Sequence, residues 1–492
     1  MPDPGPDPGP VPGDAPEHVD VLVVGAGLSG IGAACRLLEA HPHRSVALLE
    51  ARDASGGTWD LFRYPGIRSD SDMFTFGYAW RPWVGDRALA DGDKILDYLR
   101  TVARERGVDR LIRYHHRVVA ASWDSTDARW TVRVDVAGET RTFTTGFLYM
   151  CAGYYDMEHP YTPDFPGLED FAGEVVHPQL WPADLEWTDR DVVVIGSGAT
   201  AITVVPAMAE RARHVTMLQR SPTYVLSLPG RDPVARRLSW LPPRVRYRIV
   251  RAKAILVSLA FYQFSRRRPA KVRAFIRKQT AAQLPEGYDV DRHFRPAYDP
   301  WDQRVCFVPD GDLFRAIRHG RASVVTDTIE TFTPTGIRLA SGEELITDLV
   351  VTATGFDLKV LGDVELTVDG RRVDPSATVA YRALMLAGVP NFAFTIGYTN
   401  ATWTLKADLV ADFVVRLLSH LDEHGYRSVV PREQGDVRPV PLMLLESGYI
   451  RRSAHLLPRQ GEQDPWRLKQ NYLVDLRTIR HRPLEDGVLR FS

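Results

Sequence analysis

Three glycines near the start of the chain have the spacing of a turn that binds a dinucleotide. Gly25, Gly27 and Gly30 follow an apolar run at 19–24 and open a stretch rich in alanine and leucine. Such glycines allow a tight turn and let the backbone approach a pyrophosphate at a helix N-terminus. A second apolar run ends in Glu50, 25 positions after Gly25, where a carboxylate can bind a ribose hydroxyl. Because a carboxylate repels a 2′-phosphate, this turn predicts FAD or NAD.

A second glycine turn is followed by the opposite charge. A buried-strand pattern leads into Gly196, Gly198 and Ala201 and then into another helical stretch. The next strand ends in Gln219 and Arg220, and a guanidinium there can pair with a 2′-phosphate. Away from a nucleotide, the same arginine is an ordinary surface residue. The pattern favours NADP(H), so the chain combines two sites that suit an enzyme in which NADPH reduces a flavin.

The stretch GGTWDLFRYPGIRSD, at 56–70, follows Glu50 closely and is therefore expected along a bound flavin. Its adjacent glycines allow close backbone approach. Trp59 and Tyr64 offer flat aromatic faces, and Asp70 offers a carboxylate. Without a flavin, the same composition is typical of a Gly/Pro-rich surface loop.

Three classes of flavin enzyme differ in where the electrons go next. A disulfide reductase needs a redox cysteine pair, but the three cysteines form no C-x-x-C pair and Cys35 stands alone in the first helical stretch. The same pattern argues against a zinc site, and we predict no metal. A membrane-surface NADPH–quinone reductase remains open because 243–268 is apolar in its middle and basic at both ends, although a helix over the mouth of a substrate pocket is the interpretation we favour. The third class is a monooxygenase.

The segment FAGEVVHPQLWP, at 171–182, resembles the fingerprint F-x-G-x-x-x-H-x-x-x-W-[PD] of the Baeyer–Villiger monooxygenases, a branch of the flavin-containing monooxygenases. The matching residues are Phe171, Gly173, His177, Trp181 and Pro182. A second family pattern is matched by Gly56, Gly57, Trp59, Tyr64, Pro65, Gly66 and Asp70, and the A-T-G element by Ala353, Thr354 and Gly355. The resemblance runs from about Val19 to the C-terminus and is greatest to the ethionamide monooxygenase type. Relatives that oxidise only nitrogen or sulfur usually lack the fingerprint tryptophan.

This resemblance implies an enzyme that uses NADPH, FAD and O2 to insert oxygen into a ketone. In the family, NADPH reduces FAD, and oxygen adds at flavin C4a. The resulting C4a-peroxyflavin attacks the carbonyl while it is still deprotonated. The products are an ester or lactone, water and NADP⁺, and sulfides or thioamides are expected as further substrates. The alternative within the flavin enzymes is an S- or N-oxidising monooxygenase without ketone activity.

Such chemistry requires a fixed cation beside an anionic peroxide and a developing oxyanion, and arginine supplies one that stays protonated. By resemblance, the catalytic arginine is Arg304 and its carboxylate partner is Asp70. Many relatives have lysine before this arginine, whereas the chain has Gln303, which leaves the 2′-phosphate more dependent on Arg220. His177 looks like a general base. The resemblance places it in the interdomain linker instead, as a hydrogen-bonding hinge residue.

The resemblance also implies which residues contact the cofactors. Those expected at FAD are Gly25, Gly27, Ser29, Gly30, Glu50, Gly57, Thr58, Trp59, Asp60, Asp70 and Val118. Those expected at the nicotinamide and pyrophosphate of NADP are Arg68, Ser69, Asp70, Gly196, Ser197, Gly198, Ala199, Thr200 and Ala201. Those expected at the 2′-phosphate are Gln219, Arg220 and Ser221. Trp403 and Trp466 either line the substrate pocket or are buried structural residues.

These motifs require an α/β fold with two Rossmann-like dinucleotide-binding domains, one for FAD and one for NADP, and a helical insertion. The expected ranges are an FAD domain at 18–155 and 358–492, an NADP domain at 160–225 and 300–357, and an insertion at 226–299. The Pro- and Gly-rich start, 1–17, has too few apolar residues for a core and is expected to be disordered.

The composition limits which partners and which cellular location we expect. Lys+Arg (61) nearly balances Asp+Glu (62), so no overall field attracts nucleic acid. The sequence shows neither a secretory signal nor an apolar run of the ~18 residues that a membrane span needs. We therefore expect a cytoplasmic enzyme, with at most weak contact of 243–268 with a membrane surface. The expected partners are O2 and a small ketone or sulfide, and the sequence indicates no particular oligomeric state.

Overall fold

The structure of the protein is a computed structural model that describes residues 15–492. Residues 1–14 of the predicted disordered segment lie outside this range. A strand begins at Glu17, which is paired with Phe143 in the neighbouring strand and forms an ion pair with Arg113. The predicted disordered segment 1–17 therefore extends too far, because Glu17 is already paired in the first strand.

Strands and helices both occur along the whole described range, partly in alternation and partly in runs of one type. Those up to residue 150 are β1 (Glu17–Val24), α1 (Leu28–Ala40), β2 (Val46–Leu49), α2 (Thr58–Leu61), α3 (Met73–Phe76), α4 (Gly92–Glu105), β3 (Ile112–Arg113), β4 (Arg117–Asp124), β5 (Arg129–Val136) and β6 (Glu139–Met150). The middle of the chain contains β7 (Glu174–Val176), β8 (Asp191–Ile195), α5 (Ala199–Met208), β9 (His214–Gln219), β10 (Val225–Leu228), α6 (Pro233–Arg237), α7 (Pro243–Arg267), α8 (Pro269–Ala281), α9 (Val290–Phe294), β11 (Cys306–Pro309), α10 (Asp312–Arg318), β12 (Ala322–Thr326), β13 (Ile329–Thr333), β14 (Gly336–Leu339), β15 (Glu344–Ile346) and β16 (Leu349–Thr352). The last part contains β17 (Glu365–Val368), β18 (Arg371–Val373), β19 (Ala380–Tyr381), β20 (Met385–Leu386), β21 (Phe392–Phe394), α11 (Trp403–His424), β22 (Val429–Pro431), β23 (Pro439–Pro441), α12 (Gly448–Ser453), β24 (Arg459–Gly461), α13 (Tyr472–Arg480) and β25 (Leu489–Phe491).

The first sheet has nine strands in the order β18-β17-β4-β5-β6-β1-β2-β3, with β21 also paired to β6. β1 lies parallel to β2 and β6, whereas β4, β5 and β6 pair antiparallel along the chain. The run VALL in β2 is wholly buried, as expected for a parallel strand that is covered on both faces. α1 and α11 pack against each other over one face. The carboxyl ends of β1, β2 and β6 therefore lie side by side at one edge.

The second sheet has five parallel strands in the order β12-β9-β8-β16-β7. The run VVVI in β8 is buried, and α5 packs against it. β13, β14 and β15 form an antiparallel sheet beside this unit. The chain thus leaves the first sheet after β6 and returns to it after β16, which gives the predicted α/β fold with two Rossmann-like units.

Helices α6 to α9 form an insertion between β10 and β11. The longest of them, α7, packs against α3 of the first unit. Its Arg251 is buried, and Nη1 donates to the carbonyl oxygens of Phe74 and Gly77, both at 2.8 Å. Tyr247 donates its hydroxyl to the same Gly77 carbonyl at 3.1 Å. These bonds satisfy carbonyls at the end of α3 and fix the insertion to the first unit.

Among residues 15–492, no helix combines the length and the apolar character that crossing a bilayer requires.

Candidate active site

Glycine turns follow β1 in the first unit and β8 in the second, and at each turn another backbone passes close by. Gly25 has a φ of +103°, and a Cβ there would lie 2.6 Å from the carbonyl oxygen of Cys151. Gly196 has a φ of +135°, and a Cβ there would lie 2.3 Å from the carbonyl oxygen of Ala353. Only glycine fits, because the left-handed backbone strains other residues and neither site has room for a side chain. Both turns therefore lie against the carboxyl end of a neighbouring strand.

Glu50 follows β2 and holds the first turn in place. Its carboxylate accepts hydrogen bonds from the backbone N–H of Ala26 at 2.8 Å and of Arg52 at 3.0 Å. The side chain is buried in the protein but lines the cavity that opens beside the turn. Because a carboxylate has about four acceptor positions, Glu50 keeps capacity for a ribose hydroxyl.

A cavity of about 540 Å³ opens at the carboxyl ends of β1, β2 and β6, within the size range of cofactor sites. Nine of the eleven residues predicted to contact FAD line it: Gly25, Gly27, Ser29, Glu50, Gly57, Thr58, Trp59, Asp70 and Val118. The glycine turn, the N-terminus of α1 and the acidic end of β2 together fit the pyrophosphate and ribose of FAD.

The other two predicted FAD contacts, Gly30 and Asp60, lie outside this cavity. Gly30 is buried in α1, where a Cβ would meet the carbonyl oxygen of Gly25. Asp60 is buried, and its carboxylate forms ion pairs with Arg52 at 2.6 Å and Arg100 at 2.7 Å. The charge of the Asp60 side chain is therefore already balanced within the protein, and its contact with FAD stays a prediction. Through this pair Asp60 positions Arg52, which does line the cavity.

Arg304 and Asp70 are 234 positions apart in the sequence and meet in the cavity wall. Nη2 of Arg304 donates to Oδ1 of Asp70 at 2.8 Å. The two side chains remain 34% and 22% exposed. The Asp70 carboxylate raises the pKa of Arg304 above its ordinary value, so the guanidinium stays protonated. Because a guanidinium has five N–H donors, Arg304 can bind another oxygen while it holds Asp70.

The loop that carries Asp70 makes a second ion pair to the second unit. Arg68 lines the cavity, and its Nη1 donates to Oδ2 of Asp312, the first residue of α10, at 2.5 Å. Burial raises the pKa of Asp312, and the charge of Arg68 opposes that shift. Ser69 also lines the cavity, and its N–H donates to the carbonyl oxygen of Ala90 at 2.9 Å. Arg68 and Ser69, both predicted NADP contacts, therefore lie beside the predicted FAD contacts.

An aromatic wall of Tyr154, Tyr155 and Trp403 lines the cavity near Arg304. The rings of Tyr154 and Trp403 stack with centroids 5.0 Å and planes 10° apart, and the two tyrosine hydroxyls are 2.9 Å apart. Trp403 donates Nε1–H to Oγ of Ser29 at 2.9 Å, which connects the wall to the first glycine turn. Of the two tryptophans considered for the pocket, Trp403 lines it and Trp466 is buried in the core of the first unit.

Sequence reasoning did not single out several residues that line the cavity. They are Arg52, His116, Arg117, Tyr154, Tyr155, Lys359, Tyr398 and Thr402. The two tyrosines come soon after β6, and ligand sites in parallel sheets form at carboxyl ends of strands, so their position was a usable signal. His116 and Lys359 belong to segments without any motif.

The second glycine turn forms the N-terminus of α5 and lies outside the 540 Å³ cavity. Gly198 and Ala199 are exposed, Thr200 is half-buried and Ala201 is buried. Free backbone N–H groups and the positive end of a helix dipole favour a phosphate at such an end. The exposed turn therefore fits the pyrophosphate of a second dinucleotide.

At the end of β9, the side chains of Gln219 and Arg220 lie in different surroundings. Gln219 is buried, and its amide donates to the carbonyl oxygen of His293 at 2.8 Å, so its side chain does not face a 2′-phosphate. Arg220 is exposed and forms no ion pair with residues 15–492. Ser221 is exposed beside it, and its carbonyl oxygen accepts from Oγ of Ser197 at 3.1 Å. Arg220 is thus the charged group that fits a 2′-phosphate at this strand end.

His177 lies where the chain connects the two units. It directly follows β7, which pairs with β16, and β16 leads into the A-T-G element. Nδ1 accepts from the N–H of Gln179 at 3.1 Å. Carbonyls of Tyr161 and Gly355 lie beside the ring, yet Nε2 makes no hydrogen bond to the described residues. Burial lowers the pKa of His177, so the ring is neutral near pH 7, and it lies outside the cavity lining.

Comparison with known proteins agrees with this arrangement. Residues 23–85 match the NAD(P)-binding Rossmann-like domain, and residues 87–232 match the Flavin-binding monooxygenase-like family. The FAD-containing monooxygenase EthA of Mycobacterium tuberculosis is 53% identical over 479 residues, which cover 97% of this chain and 98% of the relative. The probable FAD-binding monooxygenase AlmA of Acinetobacter baylyi is 46% identical over 481 residues, which cover 97% and 96%.

Solved structures show the same fold. An oxidized steroid monooxygenase bound to NADP superposes with a TM-score of 0.71 at 27% identity, over 84% of this chain and 87% of the other. The open structure of cyclohexanone monooxygenase has a TM-score of 0.72 over 84% and 90%, and at 19% identity it supports the fold alone. The chain therefore belongs to the FAD-containing monooxygenases of the Baeyer–Villiger type and is an oxidoreductase.

Proposed function

We propose that the chain converts a ketone to an ester or a lactone. Ketone, NADPH, H⁺ and O2 give the ester, NADP⁺ and water, and one oxygen atom of O2 enters the carbon–carbon bond next to the carbonyl. The observation that carries this proposal is the Arg304–Asp70 pair in the wall of the cavity that also contains the first glycine turn. A carbonyl carbon that is attacked by an oxygen nucleophile gains an oxyanion, which a preorganised guanidinium stabilises.

The residues present fit both cofactors. In the proposed assignment, the first turn holds the pyrophosphate of FAD and Glu50 holds its ribose. The second turn holds the pyrophosphate of NADP, and Arg220 holds its 2′-phosphate. When bound, the flavin passes electrons from NADPH to O2. Arg68 and Ser69, which lie in the same cavity wall as Asp70, then place the nicotinamide beside the flavin site.

Arg304 has two tasks in this proposal. Its N–H groups donate to the anionic oxygen of the reacting carbonyl, at a position fixed by Asp70. Because Asp70 raises its pKa, the guanidinium retains its proton and does not quench an anionic nucleophile by protonation. The wall of Tyr154, Tyr155 and Trp403 excludes water from one side, which strengthens the electrostatic interaction.

The test is oxygenation of a ketone panel by the purified holoenzyme with NADPH and ¹⁸O2. Linear, cyclic and aryl ketones are compared, and mass spectrometry shows whether an ester has gained one labelled atom. A sulfide panel runs in parallel. Sulfoxide formation with no ester from any ketone would favour the S-oxidising alternative, and NADPH oxidation by a quinone without oxygen would favour the quinone reductase.

The assignment of Arg304 is tested separately with Arg304→Ala. We expect this variant to retain FAD and to form ester about 10²- to 10³-fold more slowly, the usual effect of removing one oxyanion donor. Arg190→Ala is the matched control, because it removes an arginine–carboxylate pair with Glu174, at 3.0 Å, outside the cavity. An Arg304→Ala variant that forms ester at the parent rate refutes the assignment.

A further inference from the structure

The insertion concentrates positive charge in a protein that is otherwise balanced. Between residues 233 and 285 there are fourteen lysines and arginines and no aspartate or glutamate, while the whole chain has a net charge of −1. This segment comprises α6, α7 and α8. The charge is therefore confined to one part of the surface.

Most of these cations lack a partner in the structure. Five are used in ion pairs with carboxylates outside the segment: Arg251, Lys253, Arg266, Arg273 and Arg277. The other nine pair with no carboxylate of residues 15–492: Arg236, Arg237, Arg244, Arg246, Arg248, Arg267, Arg268, Lys271 and Lys278. Eight of these nine are exposed and Arg246 is half-buried, so they present charge to the surroundings rather than stabilising the fold.

An apolar stripe runs between these cations along the outer side of α7. Val245, Ile249, Leu256 and Phe264 recur at helical spacing and are 43%, 43%, 56% and 49% exposed. Val257 beside them is 59% exposed. At 1.5 Å per residue the stripe is about 29 Å long, and soluble proteins seldom expose contiguous apolar surface on this scale.

Two aromatic residues extend the stripe at its margins. Trp240, just before α7, is 77% exposed, and Phe275 on α8 is 48% exposed among arginines and lysines. Exposed tryptophan, apolar side chains and unpaired cations are the groups that a helix uses to lie in the interface of a bilayer. The opposite side of α7 is occupied, because Tyr247, Val250 and Arg251 are buried against the first unit. Only one side is therefore available for docking.

We propose that α6, α7 and α8 form a docking surface for an anionic lipid bilayer, with the apolar stripe at the acyl boundary and the nine unpaired cations at the headgroups. The inference does not rest on the ketone reaction. Nucleic acid would account for the cations alone, whereas a lipid interface uses both the cations and the apolar residues between them. α3, which carries Phe76 in the cavity lining, packs directly on α7, so docking would bring the cavity wall near a source of apolar substrates.

The test is flotation of the FAD-loaded enzyme with vesicles of phosphatidylcholine alone or with about one third phosphatidylglycerol. We expect binding to the anionic vesicles only, and weaker binding at about 0.5 M NaCl because salt screens the headgroup charge. The double variant Leu256→Glu/Phe264→Glu should lose at least about tenfold in vesicle affinity. The double variant Arg267→Gln/Arg268→Gln should lose about 25-fold, since each cation near such a surface contributes about fivefold.

The matched control is Ile346→Glu, which places the same charge at a 63% exposed apolar residue of β15, outside the insertion. All variants should keep the FAD spectrum and the NADPH oxidation rate of the parent without vesicles, which separates docking from folding. Absence of parent binding to anionic vesicles, or equal binding by Leu256→Glu/Phe264→Glu and the control, overturns the proposal. A parent oligomer that this double variant dissociates, without any vesicle binding, assigns the surface to a second copy of the chain and also overturns it.

Discussion

Replacing Asp70 with asparagine tests whether this carboxylate places the charge of Arg304. Asparagine keeps the size and an acceptor oxygen but removes the charge that lies 2.8 Å from the guanidinium nitrogen. Two unit charges 4 Å apart interact by about 4 kcal/mol at an effective dielectric constant of 20. Because the two side chains remain 34% and 22% exposed, solvent reduces this value, and we expect a loss of about 1–3 kcal/mol. Ester formation should therefore fall about 5- to 150-fold.

The assay separates positioning from cofactor binding. FAD content is read from the flavin absorbance, and the ratio of ester to hydrogen peroxide reports how much oxygen reaches the substrate. We expect Asp70→Asn to keep FAD while this ratio falls, because the oxyanion loses a fixed donor but the cavity keeps its shape. Arg190→Ala again serves as the control for loss of an arginine–carboxylate pair.

A double variant provides the refuting result. If Asp70 acts only through Arg304, then Asp70→Asn/Arg304→Ala should form ester no more slowly than Arg304→Ala alone. If the two losses multiply instead, Asp70 acts on the reaction independently, and the positioning argument is wrong. Full ester formation by Asp70→Asn also contradicts it.

Four further predictions concern the cofactors and the connection between the units. Glu50→Ala should be purified with a reduced ratio of FAD to protein, because the buried N–H of Ala26 and the partly buried N–H of Arg52 lose an acceptor, at a cost of about 1–3 kcal/mol for the buried one; full FAD occupancy would contradict this. Arg220→Ala should raise KM for NADPH by about 10- to 100-fold and leave KM for NADH unchanged in initial-rate assays, whereas an equal rise in both would exclude a contact with the 2′-phosphate. His177→Ala should keep FAD but lose most NADPH-driven turnover, and unchanged turnover would leave the fingerprint without a mechanical role. Burial lowers the pKa of His177 from 6.5, so the stability that depends on its neutral ring is complete above pH 6.5 and is lost as the pH falls through the folded-state pKa. The melting temperature of His177→Ala should therefore fall less on acidification than that of the parent.

The parts of the site that lie within one strand–turn–helix unit were predictable from the sequence. Gly25 and Gly196 are required by backbone geometry at a single turn, so the residue type itself carries the signal. Glu50 was predicted as a cofactor contact because it ends the second apolar strand, and it lines the cavity. In each case the signal lies within one strand–turn–helix unit, and no distant contact has to be known.

Contacts between distant parts of the chain were not predictable in this way. Arg304 and Asp70 were paired only through the family resemblance, and the bond from Trp403 to Ser29, 374 positions apart, had no signal. Gln219 was predicted at the 2′-phosphate, but its side chain is buried and donates to the carbonyl oxygen of His293. The last three residues of β9 are all buried, so the pattern does not show which way the final side chain points.

The loop at 66–70 makes the geometry of the reaction depend on the arrangement of the two units. Two of its residues reach across: Arg68 binds Asp312, and Asp70 binds Arg304. Their partners lie within nine positions of each other in the second unit, one just before β11 and one at the start of α10. A shift of the second unit therefore has to break both ion pairs or move the loop, which also lines the cavity. Asp70 fixes the cation that we propose for the oxyanion. The proposed site of oxygen insertion is therefore complete only while the second unit stays docked on this loop.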